Sequence, residues 1–163
     1  MSEQIIFAKV KPDAIIPSKI EENAGYDINS CFDEEYIIIP SHNTRMIPSG
    51  IASACSSDFY FQLFERGSTG TKGMAQRCGV IDSGYRKEWF IPLTNTTDKL
   101  LWVSKLYEKY TEDDHNIYYP YSKAICQMVL LPVPKTEVIE MDYDELIKIE
   151  SIRGMNCLGS TNK

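Results

Sequence analysis

At 163 residues, 43% of them apolar and 25% charged, the chain has the length and balance of one globular domain that buries about 70% of its unfolded surface. A formal net charge of −6 argues against a general nucleic-acid or membrane-surface role, which needs a basic face, yet leaves room for a small anion held by a few local cations. No apolar run approaches the ~18 residues of a membrane span, and Met1-Ser2-Glu3-Gln4 lacks a basic-then-apolar leader pattern, so a cytoplasmic location is expected. Residues 5–10 read as a first short strand, followed by a loop over 12–23. Ala24-Gly25-Tyr26-Asp27-Ile28 is a small turn entering a strand. Tyr36-Ile37-Ile38-Ile39 is an apolar run closed by Pro40, and Arg45-Met46-Ile47-Pro48 leads into the turn Ser49-Gly50. Residues 51–55 and 59–64 are extended, and 65–73 form a Gly/Ser/Thr-rich loop.

The stretch Gly79-Val80-Ile81-Asp82-Ser83-Gly84-Tyr85-Arg86 reads as strand, tight turn, strand, with Trp89, Phe90, Ile91 and Leu93 resuming the extended run. Such a hairpin has a bare backbone rim and sets a carboxylate, Asp82, beside a ring, Tyr85. Residues 100–103 are a further strand beyond the polar Asn95-Thr96-Thr97-Asp98. Residues 109–116 are polar and acidic, a surface excursion, and 124–133 form a strongly apolar strand. Residues 143–149 are a short helix candidate with Asp142 as N-cap. Many short strands with Pro, Gly and Asn punctuation predict an all-β fold, a distorted jelly-roll barrel or sandwich with one short C-terminal helix. The domain is expected over 1–150 and a flexible tail over 151–163.

Five scattered cysteines (Cys31, Cys55, Cys78, Cys126, Cys157) lack CxxC spacing, which suggests reduced thiols and no zinc site. His42 and His115, the two histidines, are far apart in sequence, which argues against a histidine triad or metal centre. Arg66-Gly67-Ser68-Thr69-Gly70-Thr71-Lys72-Gly73 joins flexible glycines, hydroxyls and two cations, ingredients of an anion cradle, without the order of a P-loop. The tail from Arg153 has similar chemistry, so it is either a plain disordered end or a lid that orders over a polyphosphate.

The order of five pieces resembles the motif series of the trimeric dUTPases: Ala24-Gly25-Tyr26-Asp27-Ile28, Arg66-Gly67-Ser68, Gly79 through Arg86, Ile125-Cys126-Gln127, and Arg153-Gly154 with Gly159-Ser160-Thr161. The resemblance runs from about residue 5 to the C-terminus and is that of a longer bacterial or phage-type member. It implies a jelly-roll homotrimer whose sites are shared between chains, hydrolysing dUTP to dUMP and pyrophosphate with Mg²⁺ on the triphosphate. Under it, Asp82 is the catalytic carboxylate that orients and deprotonates a water. Tyr85 stacks under the deoxyribose, and the backbone at Gly79 and Ile81, with Gln76, pairs with the uracil edge. Arg66 organises Asp82 or the phosphates. Gly67 and Ser68 hold the phosphate chain, Arg153, Ser160 and Thr161 take its outer end, and Leu158 covers the base. Asp27 and Gln127 lie near the metal's water shell.

Several positions depart from the family pattern. Gly67 stands where Ser follows the motif-two Arg, and Lys87 stands where Gly is common. Ala124 replaces the Arg before motif four, and strand alternation would turn Lys123 to the opposite face. Leu158 replaces an aromatic. Two other functions fit the same fold: a dCTP deaminase, with Glu88 as the nearest acid for proton transfer, and a regulator that binds a protein partner through residues 109–121.

Overall fold

The computed structural model describes residues 4–152, 154 and 155. They form two compact units, one ending at Val133 and one beginning at Pro134. In the first, the strands in chain order are β1 (Ile6–Lys9), β2 (Tyr26–Ile28), β3 (Tyr36–Ile39), β4 (Thr44–Pro48), β5 (Ile51–Ala54) and β6 (Phe59–Phe64). After the short helix α1 (Gly67–Gly70) come β7 (Met74–Gln76), β8 (Val80–Ile81), β9 (Phe90–Asn95), β10 (Leu100–Ser104), β11 (Thr111–Glu112), β12 (Asn116–Pro120) and β13 (Cys126–Pro132). The second unit holds α2 (Tyr143–Leu146), where the Glu145 and Leu146 N–H groups donate to the Asp142 carbonyl.

Four open sheets result, ordered β1-β5, β11-β12-β10-β3, β2-β13-β6-β8 and β4-β9-β7. They make a jelly-roll β-sandwich, not a closed barrel. All pairs are antiparallel except β10 with β12. Each sheet sends alternate side chains into one core: Ile51 from the first, Ile39, Leu101 and Ile117 from the second, Phe61, Leu63 and Met128 from the third, and Ile47, Ile91 and Leu93 from the fourth. Trp89 is fully buried, with its ring 5.2 Å from Phe61 and 5.6 Å from Phe7. Its indole N–H donates to Ser53 Oγ at 3.1 Å, so the largest core side chain keeps its one polar group paired.

Two expectations are corrected. Val80–Ile81 and the strand at Phe90 do not form a hairpin: β8 pairs with β6, and β9 lies between β4 and β7. The local pattern marks the turn, and Tyr85 N–H does donate to the Asp82 carbonyl at 3.0 Å, but core burial sends the two strands to different sheets. The Gly-rich loop also contains a helix. The Thr69 hydroxyl is fully buried, where it accepts the Arg66 N–H and donates to the Arg66 carbonyl, both at 3.0 Å. That reciprocal pair fixes the entry to α1 in place of a conventional cap.

Candidate functional site

Sheet order explains why residues far apart in sequence meet. In β2-β13-β6-β8, Gln127 of β13 stands directly opposite both Asp27 of β2 and Phe64 of β6, and Arg66 follows just past the end of β6. Arg66 grips Asp27 with two nitrogens, Nε to Oδ1 at 2.9 Å and Nη2 to Oδ2 at 3.3 Å, a bidentate pair. Its remaining nitrogen, Nη1, donates to Ser68 Oγ and to the Ala124 carbonyl, each at 3.3 Å. The buried Tyr119 hydroxyl donates to that same carbonyl at 2.7 Å, and burial pushes its pKa up. Gln127 donates to the Glu65 carbonyl at 2.8 Å. A Cβ on Gly25 would push aside the Gln127 amide, so the glycine leaves that side chain the room it occupies. Three of the predicted pieces, around Asp27, Arg66 and Gln127, thus converge.

Asp82 and Tyr85 lie elsewhere. They line a cavity of about 570 Å³ whose other walls include Met46, Ile81, Phe90 and Pro92, with Arg77 and Thr44 as polar groups. The turn after β8 tethers Tyr85 at both ends: its backbone N–H donates to the Asp82 backbone carbonyl and its hydroxyl to the Glu88 carbonyl at 3.2 Å. β8 is the last strand of its sheet, so its outer backbone edge is the bare rim expected from sequence. Ile81 turns into the core while Val80 stays 60% exposed. A side chain at Gly79 would strike Gln62 and the Leu63 carbonyl, and the Gly79 carbonyl accepts the Leu63 N–H at 2.7 Å. Gln76 is not among the cavity walls; its amide is turned to the Arg77 carbonyl.

Asp82 and Arg66 are far apart within one chain. The β6–β8 register sets Ile81 opposite Phe61, so Asp82 is level with Tyr60, six residues before Arg66. At ~3.4 Å per residue the two are separated by about 20 Å along the strand. Within its own chain Arg66 is paired with Asp27.

Four further placements matter. Lys123 does face the Arg66 cleft, with Lys72, Tyr110 and Ser122 beside it. It sits in the turn before β13, where strand alternation does not apply. Lys72 is the second cation of the Gly-rich stretch expected to cradle an anion, and Tyr110 comes from the 109–121 segment, read from sequence as a surface excursion. Glu88, the acid of the deaminase alternative, accepts the Gly50 N–H at 2.8 Å and does not line the Asp82 cavity. Arg153, Leu158, Gly159, Ser160 and Thr161 lie outside the described residues. Among the described residues no three His, Cys, Asp or Glu side chains gather to hold a metal. Asp27 is paired with Arg66, while Gln127 uses only its amide nitrogen on the Glu65 carbonyl, so its amide oxygen and the Asp27 carboxylate are the oxygen groups here that a hydrated Mg²⁺ would meet. No helix of the described residues is long and apolar enough to cross a membrane.

Residues 11–106 match the sequence profile of the dUTPase family. A deoxyuridine 5'-triphosphate nucleotidohydrolase of Leptospira interrogans is 34% identical over 99 residues, 58% of this chain and 68% of that protein. The structure of a Staphylococcus bacteriophage 80alpha dUTPase with dUPNHPP superposes with a TM-score of 0.76 at 21% identity, covering 98% of this chain and 99% of that one. A mutant dUTPase from phage phi11 of S. aureus, described with a coordinated structural Mg(II) ion, superposes at 0.67 and 18% identity over 85% and 97%.

Proposed function

This chain belongs to the dUTPase family, hydrolases acting on dUTP, and we propose that Asp82 is the base by which it carries out that reaction. The observation that carries this is the cavity beside β8. A largely apolar hollow the size of a nucleoside has two aromatic rings, Tyr85 and Phe90, one carboxylate and a free strand edge among its walls. A pyrimidine enters against the β8 edge; the Gly79 and Ile81 backbone groups face β6, where the Gly79 carbonyl is taken by the Leu63 N–H, so the groups left to read its polar rim are those of Val80, and not those of Gly79 and Ile81. The fixed donors and acceptors reject cytosine, since a mispaired buried polar group costs ~1–3 kcal/mol. Tyr85 supports the deoxyribose and leaves no space for a 2′-hydroxyl. Asp82 accepts a proton from a water aimed at the α-phosphorus. The new P–O bond to that water forms as the bond to the β-phosphate oxygen breaks, leaving dUMP and pyrophosphate. A positioned base of this kind contributes ~10²–10⁴-fold.

Arg66, Gly67 and Ser68 hold the phosphates. Because they sit about 20 Å from Asp82 in their own chain, the Arg66 that serves a given Asp82 comes from another copy. That is the physical content of a homotrimer with shared sites. Mg²⁺, when bound, neutralises the phosphates, with Asp27 and Gln127 reaching it through water. Residues 1–150 form the catalytic domain and 151–163 the lid, with Arg153, Ser160 and Thr161 on the outer phosphates and Leu158 and Gly159 over the base.

The test is pyrophosphate release from dUTP, dCTP, dTTP and UTP side by side, with and without Mg²⁺. Release from dUTP alone, stimulated by Mg²⁺, is expected. Ammonia from dCTP without pyrophosphate from dUTP would overturn the assignment.

A further inference from the structure

Arg77 belongs to none of the five motif pieces, yet it is the one basic residue among the walls of the Asp82 cavity. It makes no ion pair among the described residues, so its charge is not spent on the fold. Two contacts fix where it stands. Its backbone N–H donates to the Pro92 carbonyl at 2.9 Å, and its Nε donates to Thr94 Oγ1 at 3.4 Å. Thr94 in turn shares a 2.7 Å hydrogen bond with Thr44 across the β4–β9 pair. With Nε anchored on that hydroxyl pair, Nη1 and Nη2 make no hydrogen bond to another described residue. They are donors without an acceptor at the wall of a hollow.

The hollow has two ends. Phe90 and Pro92 of β9 line it, and Thr94 of the same strand anchors Arg77. Tyr85 instead reaches the Glu88 carbonyl, just ahead of the β9 start, and its backbone N–H holds the Asp82 carbonyl. Phe90 and Thr94 are about 14 Å apart at ~3.4 Å per residue. Arg77 therefore takes one end, and Tyr85 with Asp82 the other. The chain reaches both because Cys78, with a φ of 51°, bends it out of extended form between Arg77 and β8. Val80 lies between the two ends, with its N–H and carbonyl on the free side of β8.

In the dUTP-hydrolase reading, on which this rests, Tyr85 and Asp82 hold the sugar and the attacking water. The base then points away from them, and C4 is the ring atom across from the sugar-bearing N1. We infer that Arg77 donates to the 4-carbonyl of uracil and is the residue that sets the preference for uracil over cytosine. Val80 meets the same edge with its N–H on O4 and its carbonyl on N3–H, and O4 has a second lone pair for Arg77. Arginine carries N–H donors only and keeps its proton. Cytosine has an amino group at the 4-position, so donor would face donor and the guanidinium would be left unpaired.

Two variants of the full chain test this: Arg77→Met, which removes the donors and keeps the length, and Arg77→Lys, which keeps a donor-only cation. Calorimetry with dUMP, dCMP, 4-thio-dUMP and inorganic pyrophosphate runs beside turnover of dUTP and dCTP. Arg77→Met raises Kd for dUMP and KM for dUTP about tenfold, the loss of one charge-assisted hydrogen bond. It leaves dCMP and pyrophosphate within about twofold, so the preference for dUTP over dCTP in kcat/KM falls about tenfold. 4-thio-dUMP, a weaker acceptor at the 4-position, binds the parent less well than dUMP does, and that gap closes in Arg77→Met. Arg77→Lys stays within about threefold of the parent, so a loss in the methionine variant is not a folding defect. Weakening of dUMP and dCMP in step, or of pyrophosphate with them, overturns the proposal. A uracil preference intact in Arg77→Met also overturns it, and leaves the hydrolase reading standing where dUTP is still cleaved. A parent chain that prefers dUMP through Arg77 but leaves dUTP intact supports the assignment of Arg77 and refutes the hydrolase reading instead.

Discussion

Two aspartates of this chain show how a residue's neighbours decide its work. Asp27 is gripped by Arg66 through both carboxylate oxygens, so its charge is spent on holding β2 to the end of β6. Asp82 makes no ion pair among the described residues and lies at the rim of an apolar cavity beside Tyr85. An acid with no structural partner, set at the mouth of a hollow, is free to take a proton. Asp82→Asn keeps the shape and polarity of the side chain and removes that capacity. We expect dUTP affinity within a few-fold of the parent and a kcat lower by ~10²–10⁴. Calorimetry with a non-hydrolysable dUTP analogue, run beside pyrophosphate release, separates the two effects. Parent-level turnover in the amide variant would remove Asp82 as the base.

At the scale of elements, apolar runs with clear punctuation were legible: β3 and β6 coincide with Tyr36–Ile39 and Phe59–Phe64, and the strand leading to Pro132 was found within two residues at its start. Elements whose partners are remote were not. β12 reads as a polar, tyrosine-rich stretch because only Ile117, Tyr119 and Pro120 are buried, and its parallel partner β10 lies across the acidic excursion. β7 and β8 have three and two residues, too short to show a period. The convergence of Asp27, Arg66 and Gln127 was legible as motif order alone, since no spacing reveals that β13 lies between β2 and β6. Asn95 was hidden inside what reads as a plain turn. It is fully buried, donates to the Ile39 and Lys99 carbonyls at 3.0 and 2.7 Å, and accepts from the Thr97 N–H at 3.0 Å, so it ties the β9–β10 turn to β3. Asn95→Ala strips these groups of a partner in a place water does not reach. At ~1–3 kcal/mol for each unsatisfied buried group, the expected cost is about 2–4 kcal/mol, a fall of roughly 5–15 °C in Tm. Thermal unfolding followed by circular dichroism checks it; a shift below about 2 °C would mean that the turn is held by other bonds.

At the scale of the whole molecule, the decisive geometry is that one strand separates the two halves of the chemistry. Asp82 is level with the start of β6 and Arg66 lies beyond its end, and a folded β6 cannot shorten. A base must come within hydrogen-bond reach, ~3 Å, of the water it activates. If Arg66 holds the phosphates under attack, the Asp82 that serves them belongs to a different copy. Asp82→Asn and Arg66→Ala are each expected to be inactive when every copy carries the same change, for different reasons: one lacks the base in every site, the other lacks the phosphate clamp. Unfolded together and refolded as a mixture, they should regain activity, because a site that takes its acid from an Arg66→Ala chain and its arginine from an Asp82→Asn chain is intact. Random mixing in equal amounts makes roughly a quarter of such two-chain sites whole, so about a quarter of parental turnover is expected. Sites confined to one chain give no recovery at any mixing ratio, because every chain then carries a defect in its own site. Absence of recovery in verified mixed assemblies would therefore place both residues in the same chain's site, a result at odds with the β6–β8 register unless the segment after β8 folds differently.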